Sequence, residues 1–346
     1  MITMLEKYYN IHEIVKFKII SEKRVTWSIK NILKVYENFE TDKLDKTDFE
    51  VYLGNFIPCN NDCIILEDKY YIKKDYFFCN KDIYKFTKWQ FELNGIDQEK
   101  TIVKIHSNFF GYMWMAGFIV EFLIHFKMNL KGHPIIHASA VSKKNYGIIF
   151  SARGGGGKTT LAMKLLNNGF NLLGDNFVII KNGRILSYLT PLNIFKYNLT
   201  PIINSHLTIR QKLILNLKNI LYKVSLNYIK IFTTLNTKKL FPNKLRDEIK
   251  LNNVFVIIPS NEYSVDRISK LELVDYLLYN QKLDTLLFLP YIFEYSYIFP
   301  DSKLAKHWEN YKKNLINNLS DEIKIHKVNI VKHDSKELKQ ILSSLE

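Results

Sequence analysis

Apolar positions along this chain change period several times, and each change predicts an element. Up to about residue 105 they come in short runs, such as YYIKKDYFF (Tyr70–Phe78) and VTWSI (Val25–Ile29), punctuated by Asn, Asp and Lys. That pattern predicts short strands and turns. From Phe109 to Asn129 the run is long and continuous and predicts one helix. Pro134–Val141 and Gly147–Ala152 predict two strands joined by the turn SKKNY. Thr159–Asn168 places Leu161, Ala162, Leu165 and Leu166 on one helical face, with Gly169 as its stop. Phe170–Ile180 predicts strand, turn, strand, and KNGR (Lys181–Arg184) a hairpin turn of the Asn-Gly kind leading into ILSYL. Within Leu207–Leu235, Leu213, Leu217, Ile220, Leu221 and Val224 recur at helical spacing with Lys212, Lys218 and Lys223 between them, a basic amphipathic segment. Leu251–Asn261 predicts a buried strand ending in a turn. Beyond it come a helix around Lys303–Asn317, a strand at Ile323–Val331 and a helix at Lys336–Leu345. The expected organisation is a β-rich N-terminal domain over 1–105, a core over 106–265 with a basic insertion at about 200–247, and a C-terminal α/β extension over 266–346. No internal repeat or low-complexity linker interrupts it.

Composition changes this picture little. The 346 residues are 47% hydrophobic and 24% charged, an ordinary globular balance. The most apolar window, Phe109–Phe126, contains Glu121 and His125 and predicts a buried core helix, not a transmembrane span. The three cysteines are Cys59, Cys63 and Cys79, and no Cys or His pair elsewhere completes a zinc site. They fit a reducing compartment, and the N-terminus shows no signal-peptide pattern, so a cytoplasmic location is expected. The net charge of +15 comes mostly from lysine and follows as readily from coding composition as from an anionic partner. Its distribution says more. Residues 176–246 contain no Asp or Glu and twelve Lys or Arg. Aromatic and basic residues are plentiful, but no nucleic-acid recognition motif accompanies them, and no nucleic-acid partner is predicted.

The chemistry-bearing stretch is A-R-G-G-G-G-K-T, Ala152–Thr159, close to the phosphate-loop pattern G-x-x-x-x-G-K-[ST] with Ala152 at the first glycine. Consecutive glycines let backbone N–H groups turn inward onto phosphate oxygens, and the helix that follows adds its free N–H groups and positive dipole end. Lys158 is placed to reach the β- and γ-phosphates and Thr159 to set its hydroxyl on Mg²⁺. Arg153, Gly154, Gly155, Gly156, Gly157 and Thr160 complete the expected nucleotide cradle. Asp175, seventeen residues after Lys158 at a strand junction, is a candidate magnesium ligand and general base.

The order His137-x-x-x-Val141, a short turn, a Gly-started strand, the glycine loop, a short helix and then GFNLLGDNFV (Gly169–Val178) resembles the HPr kinase/phosphorylase family. The likeness spans roughly Ile135–Ser187. It implies an α/β fold with α+β character, an HPr kinase/phosphoenolpyruvate carboxykinase-like P-loop core, and use of ATP with Mg²⁺. It implies that Lys158 and Thr159 serve phosphate and magnesium, that Asp175 deprotonates the acceptor hydroxyl, that His137 stands near the reacting phosphate, and that Lys196 contacts phosphate. Asn176 stands where the family's second acid is found, and an amide is no base. The family's second signature, which docks its carrier protein, is not found downstream, so a different acceptor is expected. Three readings follow. In the first, a Ser kinase acts on a peptide or protein gripped by the basic 176–246 stretch. In the second, the acceptor is a sugar or amino acid. In the third, the chain is a non-catalytic, nucleotide-gated binding module. The resemblance leaves a homo-oligomer open.

Overall fold

The computed structural model describes residues 4–22, 27–194, 199, 201–224 and 233–331. The fold is mixed α/β. The strands are β1 (Met4–Ile11), β2 (Val15–Glu22), β3 (Glu40–Thr41), β4 (Phe49–Leu53), β5 (Ile64–Leu66), β6 (Tyr70–Lys73), β7 (Tyr76–Tyr84), β8 (Thr87–Asn94), β9 (Thr101–Ser107), β10 (Ile135–Lys143), β11 (Tyr146–Ala152), β12 (Asn171–Gly174), β13 (Phe177–Lys181), β14 (Arg184–Leu186), β15 (Leu192–Ile194), β16 (Thr233–Leu235), β17 (Glu248–Pro259), β18 (Ser264–Arg267) and β19 (Lys324–Ile330). The helices are α1 (Lys30–Val35), α2 (Phe109–Leu130), α3 (Lys158–Asn167), α4 (Pro201–His206), α5 (Ile209–Val224), α6 (Thr237–Leu240), α7 (Lys270–Asp284), α8 (Leu289–Ile298) and α9 (His307–Asn318). The chain divides into two compact units, 1–134 with 281–314 and 135–280 with 315–346. The sequence suggested three consecutive parts; here each unit takes two chain segments.

The first unit is built on a nine-stranded sheet in the order β3-β1-β2-β4-β9-β8-β7-β6-β5. Its inner side chains include Phe17, Phe49, Phe77 and Phe91, with Phe17 stacked on Phe49 at 4.7 Å between centroids. The helix α2 forms where it was expected and runs one residue further, to Leu130; Asn108 caps Gly111 N–H at one end, and Lys127 and Asn129 are buried at the other. Among the described residues α2 is the one helix long and apolar enough, by length and composition, to cross a membrane; most of that span is buried in this unit. The Trp27–Ile29 part of the stretch VTWSI departs from expectation. Residues 25 and 26 lie outside the described part, and Trp27–Ile29 form a turn opening α1, not a strand. Ile29 and Ile32 are both buried, and that spacing serves a helical turn.

In the second unit β11 pairs in parallel with β17, which pairs in parallel with β19. β10 runs antiparallel to β11 and divides its other edge between β12 and β13. The Asn-Gly turn forms as expected. Asn182 and Gly183 adopt φ of 48° and 71°, the twist a two-residue hairpin needs, and their N–H groups donate to Asn318 at 2.9 and 2.7 Å. The face of α3 carrying Leu161, Ala162, Leu165 and Leu166 is buried against Ile148, Phe150 and Leu172, which fixes where the glycine loop points. Gly169, at φ 81°, ends that segment as expected. The predicted helix Lys336–Leu345 and the phosphate-contacting candidate Lys196 lie outside the described residues.

Candidate functional site

The loop Arg153–Gly157 joins β11 to α3. Gly155 and Gly157 hold φ of 84° and 88°, where a side chain would be strained. Gly156 donates its N–H to the Arg153 carbonyl at 2.8 Å, so tight a turn that an added Cβ would sit 2.6 Å from the Ala152 Cβ. Gly154 differs, since a Cβ there would meet nothing within 4 Å. The fold therefore explains three of the four glycines, and neither packing nor backbone conformation requires the fourth, Gly154. Lys158, the first residue of α3, is buried, and its ammonium donates to the Ala152 carbonyl at 2.6 Å.

Asp175 follows β12 at the β12–β13 junction. The turn is close because Gly174 touches its neighbours without a side chain; a Cβ there would lie 2.4 Å from the Phe177 carbonyl oxygen. The turn brings the Asp175 carboxylate to the start of α3. Thr159 Oγ1 lies 3.0 Å from each carboxylate oxygen, and the Ser139 hydroxyl donates to Oδ1. Burial is the main influence on this carboxyl and pushes its pKa up. The hydroxyls of Ser139 and Thr159 and the charges of Lys158 and His137 pull it back. Next along, Asn176 adopts φ of 82°, a left-handed backbone that asparagine tolerates, and its carbonyl accepts from Ala138 N–H at 3.0 Å.

The sequence-predicted residues thus fall into groups. Lys158, Thr159, Asp175 and His137 are gathered around one carboxylate. His137 is half-buried on β10, its ring 5.5 Å from that of Phe177. Thr160 is half-buried in the first turn of α3. Arg153 sits exposed on the loop with Nη1 3.4 Å from Asn280 Oδ1.

Two residues escaped the sequence reading. Ser139 stands two positions after His137 on β10, on the same face, and that alternation was its one available signal. Asn280, on α7, is buried and offers its amide to Ser151 Oγ and the Ala152 carbonyl, both at 3.3 Å, bracing the strand end from which the loop departs. Nothing in the local sequence around Asn280 marks it.

The residues fit a nucleotide with magnesium. Mg²⁺ needs one or two carboxylates and completes its shell with phosphate oxygens and water. Asp175 and Thr159 offer a carboxylate and a hydroxyl side by side, although no cluster of three or more His, Cys, Asp or Glu residues suited to a metal occurs among the described residues.

No protein-family model matches the chain, and no curated protein matches it. Among solved structures it is similar to the Hpr(Ser) kinase/phosphatase from Coxiella burnetii, at 11% identity and a TM-score of 0.26, covering 61% of this chain and 87% of that one.

Proposed function

We propose that this chain is an ATP- and Mg²⁺-dependent kinase that phosphorylates a hydroxyl, of Ser in a peptide or protein, from an HPr kinase-like site. One observation carries the reading: a glycine loop ending in a buried lysine delivers the Thr159 hydroxyl onto both oxygens of a buried carboxylate, Asp175. The motif order from His137 to Val178 and the open face at Gly154 support it.

In this mechanism the loop N–H groups from Gly154 to Thr160 bind the phosphate oxygens and Lys158 offsets charge building on the transferred group. Thr159 and Asp175 would hold a magnesium ion, which when bound would supply charge neutralisation on the phosphates. Asp175 accepts the proton of the acceptor hydroxyl as that oxygen bonds to the γ-phosphorus and the bond to ADP breaks. His137, whose charge acts on Asp175, favours the ionised carboxylate that a base must be.

A second reading is a nucleotide-gated binding module: Asn176 stands where the resemblance leads one to expect a second acid, and the burial that pushes the Asp175 pKa up works against the ionised form a base needs. One experiment separates the two. Purified protein is given γ-labelled ATP and magnesium, with a peptide pool or a pool of small hydroxyl metabolites, beside Asp175→Asn. Label transferred to peptide and lost in the variant supports the kinase, and label on a metabolite moves the acceptor class. Nucleotide binding without transfer in either protein rejects the kinase in favour of the module.

A further inference from the structure

The basic amphipathic segment forms its helix, but the side facing water is the unexpected one. Over Ile209–Val224, α5 is anchored to the core of its unit through Leu215, which is 4% exposed. The regularly spaced aliphatic residues point away. Ile209, Leu213, Leu217, Ile220, Leu221 and Val224 are 80%, 60%, 61%, 54%, 51% and 75% exposed. At 100° per residue these six fall within an arc of about 120°, one stripe along a helix of about 24 Å. Lys212 and Lys223 flank the stripe on one side and half-buried Lys218 on the other, while exposed Arg210 lies within the arc at the start of the helix. An ordinary surface helix turns such a stripe inward.

We propose that α5 docks this chain on an anionic lipid surface, lying in the interface plane with the aliphatic stripe among the upper acyl carbons and the flanking lysines at the headgroups. Charge complementarity selects this occupant. An aliphatic stripe bordered by cations fits a surface that offers hydrocarbon and negative charge together. A second copy of α5 would bring Lys212, Lys218 and Lys223 against their own counterparts, with no acid anywhere in 176–246 to neutralise them. An acidic peptide would answer the lysines and leave six aliphatic side chains in water. The same acid-free stretch carries nothing an anionic membrane would repel.

The test needs no nucleotide, so it stands or falls apart from the kinase reading. Full-length protein is sedimented with vesicles of phosphatidylcholine alone and of phosphatidylcholine with phosphatidylglycerol. Co-sedimentation with the anionic vesicles alone, weakened by salt, is expected. Leu213→Glu/Leu217→Glu should lose affinity by at least about tenfold, because both positions are in water in the free protein and in hydrocarbon when docked. Arg210→Glu/Lys223→Glu, both exposed, should lose at least about tenfold on anionic vesicles. Leu217→Trp gives a reading that does not depend on the glutamate variants folding. Its added emission should shift to the blue on anionic vesicles and be quenched by brominated acyl chains. Protein left in the supernatant with anionic vesicles overturns the proposal, as does an unshifted added emission in Leu217→Trp or wild-type sedimentation of the folded double glutamate variant. A lipid-free dimer that dissociates in Leu213→Glu/Leu217→Glu overturns it in favour of a second copy. Capture of an acidic peptide with no vesicle binding overturns it in favour of a protein partner.

Discussion

Asp175→Asn separates chemistry from binding and from folding, and the three readouts are expected to move differently. The asparagine keeps the volume and one oxygen for the hydroxyls of Ser139 and Thr159, but it takes up no proton. Loss of a general base lowers turnover by roughly 10²–10⁴-fold, or about 2.7–5.5 kcal/mol of barrier. Nucleotide affinity measured without magnesium should stay within about threefold, since the loop supplies the phosphate contacts. Stability moves the opposite way from activity. Burial raises the carboxyl's pKa in the folded state, so the folded protein holds that proton more tightly than the unfolded chain does. The stabilisation this gives is complete below the unfolded value of about 3.9 and is lost as pH rises through the folded one. Ionised Asp175 therefore works against folding at neutral pH, and asparagine removes that burden. The variant should be at least as stable as wild type at neutral pH, with the gap closing toward about pH 4. Labelled-ATP transfer, nucleotide titration and urea unfolding across pH check the three. Wild-type transfer in the variant refutes the base assignment. A clear stability loss at neutral pH refutes the claim that burial dominates the energetics of this carboxylate.

Four further outcomes follow from the same geometry. Gly154→Ala should leave urea stability within about 0.5 kcal/mol yet weaken ATP binding at least about tenfold, whereas Gly156→Ala, whose methyl would lie 2.9 Å from the Arg153 carbonyl oxygen, should also lose about 1–3 kcal/mol of stability. Asn280→Ala removes the amide bracing Ser151 and Ala152; it should cost about 1–3 kcal/mol and raise KM for ATP more than it lowers kcat, measured by steady-state kinetics beside calorimetry. His307, buried with Nδ1 accepting from Asn129 at 3.2 Å, is pushed by burial down to about 3, so its contribution is present above about pH 6.5 and lost as pH falls toward 3, at up to about 1.4 kcal/mol per pH unit; unfolding curves of His307→Gln should lack that slope. Asn176→Asp places a second acid on a backbone that aspartate also tolerates, so melting should be unchanged within about 0.5 kcal/mol while magnesium-dependent nucleotide affinity rises in a titration.

Much of the site was legible because its chemistry is local. The spacing from Ala152 to Thr159 dictates a turn of inward amides, and the glycines at positive φ are ones the sequence itself marks. Asp175 was legible through the glycine before it and the strand junction around it. Ser139 was half-legible. Alternation puts it on the face of His137, but a lone serine in an apolar strand carries no signal of its own. Asn280 was not legible, since it reaches Arg153 across 127 residues of sequence and only the tertiary fold brings them together. The Trp27–Ile29 part of VTWSI differs for another reason. Ile29 is buried together with Ile32, beyond the stretch and at helical spacing, and a five-residue window is too short to tell the two periods apart.

The helix α5 and Asn176 expose one limit from two sides. A hydrophobic period says that a segment has two unlike faces, and the usual inference assigns the apolar one to the core. On α5 Leu215 is buried in the core, and the stripe that the period reveals faces away from it. Asn176 stands where the resemblance leads one to expect an acid, so the sequence alone reads as chemistry removed. The left-handed backbone there suits asparagine and aspartate alike, so the turn's dihedral restricts the position to such residues and does not account for the amide. On α5 the pattern is read correctly and its cause is not; at Asn176 the backbone leaves the choice between amide and acid to the site's chemistry. Comparing Asn176→Asp with the parent is what decides whether the amide weighs against catalysis. The period on α5 does not count as core until its apolar face has been shown to stay in water.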